Sequence, residues 1–532
     1  MANGKIIRQL TTSNFDFTAL ARSKESKYVD KTDLLYELAR NRDESQYFIS
    51  RPRRFGKSLM LSTLQAMFEG RKSLFKGLAI YDKPWEGWTA KKRHPVYNFS
   101  MMRANGATVD KFLAALENLV RDLCEEAGVP YKDKVDATVN FGEFLKAAAA
   151  KSPTKKIVVL IDEYDEPVAG FLDDLESLKL VRKTLHDFYE KLKDNSKSIR
   201  FLMMTGVTKL TKLSVFSGLN HLTDLSMDKR FATLLGFTPE ELDGELRENV
   251  EEFGEKNGLD FATAKAKLLE WYDGYRFAPG SEAKVCNPVS IGKAFASGDL
   301  LNYWESTGGA TLVIERLKQC GKTLYDFEDL IVSQTQLDVC DAETLPVEAL
   351  LYQSGYLTLK ETFDETTYSL GIPNNEVRDS LTKGYVGSLM GAAFASWNDR
   401  AQRARLELRA KGVDTLLSKN LRAAFAAVPH DWRIESEAEA KRYFLLYLRL
   451  VGADISGEVQ SANGRADAIL KDKTGVYVFE FKYGRSAKEA LDQARTKDYA
   501  GPWLDAKPPV FLVGVNYDPA KRGIDDPLVE PL

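Results

Sequence analysis

Residues 155–165 read KKIVVLIDEYD, in which the apolar run Ile157 to Ile161 leads straight into two acids. An unbroken apolar run of strand length is needed when both faces of a strand are covered, as in a parallel sheet flanked by helices. IRFLMMTGV at 199–207 is a second such run. Helical spacing appears in VDKFLAALENLVRDLCEEAG and LESLKLVRKTLHDFYEKLKDN, and QYFIS and HPVYNFSM are strand-like. From 46 to 215 strand and helix signals therefore alternate, which predicts an α/β domain with a mostly parallel sheet.

A parallel strand that ends in Asp-Glu delivers both carboxylates to the carboxyl edge of the sheet, where ligands bind. Asp162 is placed to hold Mg²⁺ through its water shell, and Glu163 to orient or deprotonate an attacking water. The bland alternative is a strand end turning into solvent. Asp165 and Glu166 read as structural or surface acids. Upstream, RPRRFGKSLM follows the strand QYFIS and precedes a helix marked by Met60, Leu61, Leu64, Met67 and Phe68. Gly-Lys-Ser in that setting reads as the end of a phosphate-binding loop, whose N–H groups and helix N-terminus surround an anion, the alternative being an accidental tripeptide in an exposed basic turn. Lys57 reaches the β- and γ-phosphates, Ser58 holds Mg²⁺, and Gly56 lets the backbone approach. The nucleotide-cradling set is Arg53, Arg54, Phe55, Gly56, Lys57, Ser58 and Leu59. The generic loop has a glycine where this chain has Arg51. Arg53 and Arg54 either neutralise phosphate or form a solvated basic loop. Thr205, at a strand end, is a polar sensor or a cap. Lys209 and Arg230 are charge-stabilising fingers or ordinary surface cations.

The chain is 532 residues long, beyond the size of a single ordinary core. Its 74 basic and 77 acidic residues leave a net charge of -3, so attraction to nucleic acid or lipid must come from local patches. Four cysteines without a CxxC pair, and only four histidines, argue against a zinc site or a disulfide framework. The N-terminus lacks the apolar core of a signal peptide and no apolar run reaches bilayer length, which predicts a cytoplasmic, non-membrane setting. The pattern changes twice, giving expected domains at 1–235, 236–400 and 401–532. The middle region reads as mainly helical, with a capping arrangement at Thr238, Pro239 and Glu241. In DRAQRARLELRAKG, Arg400, Arg403, Arg405, Arg409 and Lys411 could meet a nucleic-acid backbone, or form a solvated face opposite a side buried by Leu406 and Leu408.

The last region orders as helix, three strands, helix, strand. In GVYVFEFKYG, alternation puts Val476, Val478, Glu480 and Lys482 on one face and Tyr477, Phe479 and Phe481 on the other. The short turn KDKTG makes GRADAIL the hairpin neighbour of that strand, which brings in Asp467. Asp467 and Glu480 could share one divalent metal while Lys482 orients a hydrolytic water, as metal-assisted phosphodiester cleavage requires. The alternative is a solvated hairpin face with an incidental Glu-x-Lys pair.

The combination of YVDKT, RPRRFGKSLMLSTL, VVLIDEYD and TGVTKL resembles the bacterial AAA-ATPase-like family of P-loop proteins, as do WYDGYRF, NPVSI, YWESTG, QSGYLTL and PNNEVRDSL. That family regularly carries Arg-Pro-Arg-Arg-Phe-Gly-Lys-Ser, so Arg51 fits the resemblance. It implies ATP at Lys57 and Ser58, Mg²⁺ at Asp162, a catalytic Glu163, and a helical, winged-helix-like region after the ATPase core. Asp467, Glu480-Phe481-Lys482, Gln493 and Tyr499 resemble the PD-(D/E)XK nuclease superfamily, whose restriction-endonuclease-like core has the element order just read. Glu458 and Glu439 are weaker candidates for upstream acids. The expectation is an ATPase whose nucleotide state controls a nuclease-like domain acting on DNA or RNA, by analogy in defence against foreign nucleic acid or in mobile-element biology. The rivals are a nucleotide-dependent regulatory protein whose C-terminal domain binds without cutting, and an ATPase that remodels a protein partner. The oligomeric state stays open, a homo-oligomer included.

Overall fold

The computed structural model describes residues 7–13, 15–171, 174–208, 222–304, 313, 314, 317, 327, 330–337, 346–428, 433–461, 464–504 and 509–532, without the side chains of 392, 409, 458, 460 and 461. Two compact units form, Met1–Gly309 with Phe327–Val377, and Ala310–Asp326 with Arg378–Leu532.

The first unit is built on a parallel sheet. Its elements are β1 (Gln46–Ser50), α1 (Lys57–Phe68), β2 (Val96–Ser100), α2 (Val109–Glu126), α3 (Ala137–Lys151), β3 (Ile157–Asp162), α4 (Leu175–Asp194), β4 (Ile199–Gly206) and β5 (Thr223–Asp224). The order across the sheet is β2-β3-β4-β1-β5, every pair parallel. Every residue of β3 and β4 is buried, as the two continuous apolar runs require. Helices α2, α3 and α4 close one large core, in which Phe141 stacks on Phe188 at 4.0 Å. Amphipathic α2 and α4 bury their apolar stripes there and face solvent with their charges.

The rest of this unit is mainly helical, with α5 (Arg247–Asn257), α6 (Phe261–Tyr272) and α7 (Pro288–Ser297). The capping box forms as the sequence implies: Glu241 N–H donates to Thr238 Oγ1, and Thr238 N–H donates to the Glu241 carboxylate. Helical patterning did not announce an antiparallel sheet of β6 (Leu330–Ser333), β7 (Thr358–Thr362) and β8 (Thr367–Gly371), with β8 in the centre and helix α8 (Val347–Ser354) between β6 and β7. Helix α9 (Asn375–Met390) begins here, with Asn375–Val377 in this unit and Arg378–Met390 in the second.

The second unit contains α10 (Phe394–Lys411), α11 (Glu437–Val451), β9 (Asp454–Ser461), β10 (Gly464–Asp472), β11 (Gly475–Tyr483), α12 (Ala487–Thr496), β12 (Val510–Asp518), β13 (Gly523–Ile524) and β14 (Leu528–Pro531). The sheet runs β9-β10-β11-β12-β13, with β14 paired to β12. Only β11 and β12 are parallel. Strand β11 is covered on both faces: Phe444 of α11 packs on Phe479 and Phe481, while Val476 and Val478 share a core with Leu491 and Ala494 of α12. The hairpin is therefore not a solvated face. On α10 the expected burial of Leu406 is overturned, since this side chain is 67% exposed. The buried seam is Trp397, Ala401, Ala404 and Leu408, at spacings of four and three, and Leu406 falls two positions off it. Arg403 is exposed and paired with Asp399, and the Arg409 side chain lies outside the described residues. Among the described residues, no helix is long and apolar enough to cross a membrane.

Candidate functional sites

The first site forms at the carboxyl edge of the parallel sheet. Register pairs Ser100 of β2 with Asp162 of β3, and Ile161 with Met204, so Thr205 of β4 follows beside Asp162. Strand β1, which feeds the loop, pairs Ile49 with Thr205. Asp162 becomes the centre of a compact network. Ser58 Oγ donates to its Oδ2 at 2.5 Å, Thr205 Oγ1 donates to Oδ1, and Glu163 N–H donates to Oδ1 at 3.1 Å. Ser58 and Asp162 come from the loop and the acidic strand respectively, so their contact joins the two motifs.

The loop turns into α1 at Gly56, whose φ of 93° lies in the left-handed region that only glycine adopts without strain. Lys57 is buried, and its Nζ donates to the carbonyls of Arg51 at 2.8 Å and Pro52 at 2.9 Å. Burial lowers its pKa, opposed by Asp162. Arg54 and Glu163 also have positive φ, 70° and 52°. Such backbone is costly for residues with a Cβ and persists where the surroundings over-determine it. The Glu163 carboxylate accepts from Ser100 Oγ at 2.9 Å, and burial raises its pKa, with Asp162 and Glu166 adding to the rise.

The remaining loop residues divide by role. Arg51 is buried and braces the turn from behind. Its Nη1 donates to the carbonyls of Ser50 and Ser226, and the guanidinium lies 4.0 Å over the Phe277 ring. Burial lowers its pKa to about 10. Phe55 is buried against Tyr275 and Phe277, so it anchors the loop by packing. Arg53 is exposed and within 3.4 Å of Glu166, whereas Arg54 Nη1 donates to the Tyr303 carbonyl at 3.0 Å. Leu59 lines an apolar cavity beside the loop, with Tyr28, Val29, Phe237 and Val289. Sequence reasoning missed this cavity, because its walls come from four separate stretches of chain. Asp165 is structural, as read: it is buried and accepts from the Val207 and Thr208 N–H groups and the Thr208 hydroxyl. Arg230 is exposed and paired with Asp228. Lys209 lies outside the described residues.

The second site forms where the hairpin opens. Pairing between β10 and β11 stops at Ala468 and Phe479, so Asp467 and Glu480 stand just beyond the last rung. There the Asp467 carboxylate takes the Phe481 N–H at 2.8 Å on Oδ2 and Lys441 Nζ of α11 at 2.8 Å on Oδ1. Glu480 is buried. Its Oε1 accepts from Lys482 Nζ at 2.9 Å and Gln493 Nε2 at 2.5 Å, and its Oε2 has no partner among the described residues. Burial, with Asp467 adding to it, raises the Glu480 pKa to about 7. Lys482 Nζ is also held by the Phe481 carbonyl. Gln493 reaches the site because α12 crosses β12 at Gly514, where an added Cβ would lie 2.1 Å from the Ala487 carbonyl oxygen.

Tyr499 lies beyond the end of α12 in the core beside Gly464. Glu439 accepts the Glu435 N–H at the start of α11, and the Glu458 side chain is outside the described residues. Lys441 was missed: nothing in the periodicity of an amphipathic helix marks which lysine will face an acid on a distant strand.

The parallel sheet with its phosphate loop, and the mixed sheet with its acid–lysine cluster, define a P-loop protein joined to a nuclease-like domain. The family model described as a predicted AAA-ATPase matches residues 13–216, and that of the PD-(D/E)XK nuclease superfamily matches 435–526. A protein of Azotobacter chroococcum mcd 1, described as an uncharacterized protein in the vnfD 5' region, is 31% identical over 532 residues, covering 97% of this chain and 98% of its own. The chain belongs to this AAA-ATPase-like family, with its C-terminal PD-(D/E)XK domain.

Proposed function

We propose that the chain binds and hydrolyses ATP at the first site, and that its nucleotide state controls a metal-dependent nuclease-like site at the second, acting on DNA or RNA. The Ser58–Asp162 hydrogen bond carries the first half, since it brings the loop and the acidic strand to one point. The N–H groups opening α1 and the Lys57 ammonium bind the β- and γ-phosphates, phosphate oxygens replacing the Arg51 and Pro52 carbonyls on Nζ. Ser58 and Asp162 would hold Mg²⁺, which supplies neutralisation of the phosphate charge. Glu163 orients the attacking water and takes its proton, a role suited to a carboxylate with a raised pKa. Thr205 holds Asp162 in place, Arg53 and Arg54 add positive charge at the loop, and the apolar cavity beside Leu59 takes the nucleobase.

At the second site Asp467 and Glu480 would hold a divalent ion, which supplies polarisation of a phosphodiester and its water. The donor set fits: a buried Glu480 beside a half-buried Asp467, with one Glu480 oxygen that has no partner among the described residues. Lys482 orients the water, and Gln493 orients Glu480. Defence against foreign nucleic acid suits this pairing of activities.

Incubation with plasmid, single-stranded DNA and RNA, with and without ATP and Mg²⁺ or Mn²⁺, tests the reading. Cleavage is expected to vanish in Glu480→Ala and Lys482→Ala, and a metal-dependent activity that survives both would show the site to be wrongly assigned. One observation favours the binding-without-cutting alternative: both oxygens of Asp467 are already engaged, by Lys441 and by the Phe481 N–H.

A further inference from the structure

The C-terminal cluster carries two carboxylates and, besides Lys482, a second cation. Lys441 approaches from α11, a different element from the strands that hold Asp467, Glu480 and Lys482. Its Nζ donates to Asp467 Oδ1 at 2.8 Å, with side-chain exposures of 16% and 17% for the two partners. A buried carboxylate pair needs compensating positive charge, because desolvation and mutual repulsion both disfavour its charged form. Lys482 compensates Glu480 from the same strand, with Nζ fixed by the Phe481 carbonyl as well. Lys441 compensates Asp467 from the end of a flexible four-carbon stem.

The two lysines are therefore not equivalent. Lys482 touches the Glu480 oxygen that Gln493 also touches, and leaves Oε2 open. Lys441 sits on the one Asp467 oxygen that the backbone does not use, since Oδ2 is taken by the Phe481 N–H. Oδ1 is thus the Asp467 oxygen free of the backbone, and the Lys441 ammonium stands where a divalent ion on that oxygen would bind.

We propose that Lys441 is a built-in competitor for the divalent ion at the C-terminal site, so that metal binds there only as the Lys441 ammonium leaves Asp467 Oδ1. The inference rests on reading Asp467 and Glu480 as metal ligands, and it adds a regulation of that site. The phosphates of a nucleic acid give the displaced ammonium a new partner, so metal and polyanion binding reinforce one another through this one side chain. Lys441 is a positioning residue in this scheme, acting through Asp467.

The test is direct Mn²⁺ binding by the full-length protein, using titration calorimetry on wild type, Lys441→Met and Lys441→Arg. Each is measured beside its Asp467→Asn counterpart, so that only the Asp467-dependent component is compared. Lys441→Met is expected to tighten that component about tenfold or more, because a neighbouring positive charge is removed, while Lys441→Arg leaves it near wild type. Adding an uncleavable phosphorothioate oligonucleotide should tighten Mn²⁺ binding in wild type and have little effect in Lys441→Met. If Lys441→Met does not fold, Lys441→Gln, which keeps a donor without the charge, takes its place with the same expected direction. Unchanged or weaker affinity in the neutral variant, with Asp467-dependent binding present in wild type, overturns the role of Lys441 alone. Absence of Asp467-dependent binding from wild type and variant alike overturns the metal-ligand reading as well.

Discussion

Glu376 offers a sharp test of the electrostatics behind the phosphate loop. It stands in the first turn of α9, fully buried, and accepts the Tyr303 N–H at 2.8 Å. The Tyr303 carbonyl in turn accepts from Arg54 of the loop. Burial is the main force on Glu376. The Ser290 hydroxyl, the Tyr303 and Trp304 N–H groups and the Arg54 charge oppose it without cancelling it, and the pKa rises from 4.5 to about 7. At about 1.4 kcal/mol per tenfold change in proton affinity, that rise corresponds to about 3 kcal/mol. The sign follows from which state holds the proton. The unfolded chain releases it near 4.5 and the folded chain only near 7, so folding gains nothing from this group below 4.5. Stability then falls as pH climbs between the two values, and the full penalty stands above 7. Glu376→Gln keeps the shape and an acceptor for the Tyr303 N–H while removing the charge. Urea unfolding followed by tryptophan fluorescence from pH 5 to 8 should therefore show the variant gaining on wild type by up to about 3 kcal/mol toward pH 8, with the gap closing toward pH 5. Comparison with the variant removes the contribution of every other titrating group. A gap that does not change with pH, or that widens toward acid, would refute the reasoning.

Other perturbations follow from the same geometry. Phe55→Ala should cost about 3–5 kcal/mol in a thermal or urea unfolding experiment and should weaken ATP binding, because it removes packing behind the loop and touches no phosphate. Gly56→Ala has open space for its methyl group but a φ of 93°, so about 1–2 kcal/mol of backbone strain is expected, with weaker binding of a fluorescent ATP analogue. Thr205→Val withdraws a donor from the buried Asp162 carboxylate, which should cost about 1–3 kcal/mol and lower Mg²⁺-dependent ATP turnover more than ATP binding.

The parts of this protein that were legible in the sequence are those dictated locally. Continuous apolar runs marked β3 and β4, because a strand covered on both faces must be apolar throughout. Gly56-Lys57-Ser58 was legible because it combines a special backbone conformation with a helix start, both local properties. The Thr238 capping box and the alternation along β11 are equally short-ranged. What escaped depends on distant chain segments meeting. The order β2-β3-β4-β1-β5 and the sheet β6–β8 are set by pairing across long separations. The bracing of Arg51 by Phe277, the burial of Glu376 and the contact of Lys441 with Asp467 each join residues far apart in sequence. Leu406 illustrates a local failure: its residue type suggested burial, and the seam of α10 passed two positions away.

The account turns on one nucleotide site controlling a separate cutting site in the same chain. Its most direct test is the rate of Mg²⁺- or Mn²⁺-dependent nucleic-acid cleavage, with and without ATP, in wild type and in Lys57→Ala. The account predicts that ATP changes the wild-type rate, that Lys57→Ala is indifferent to ATP, and that Glu480→Ala cuts under neither condition. Cleavage by Lys57→Ala that responds to ATP as wild type does would contradict it.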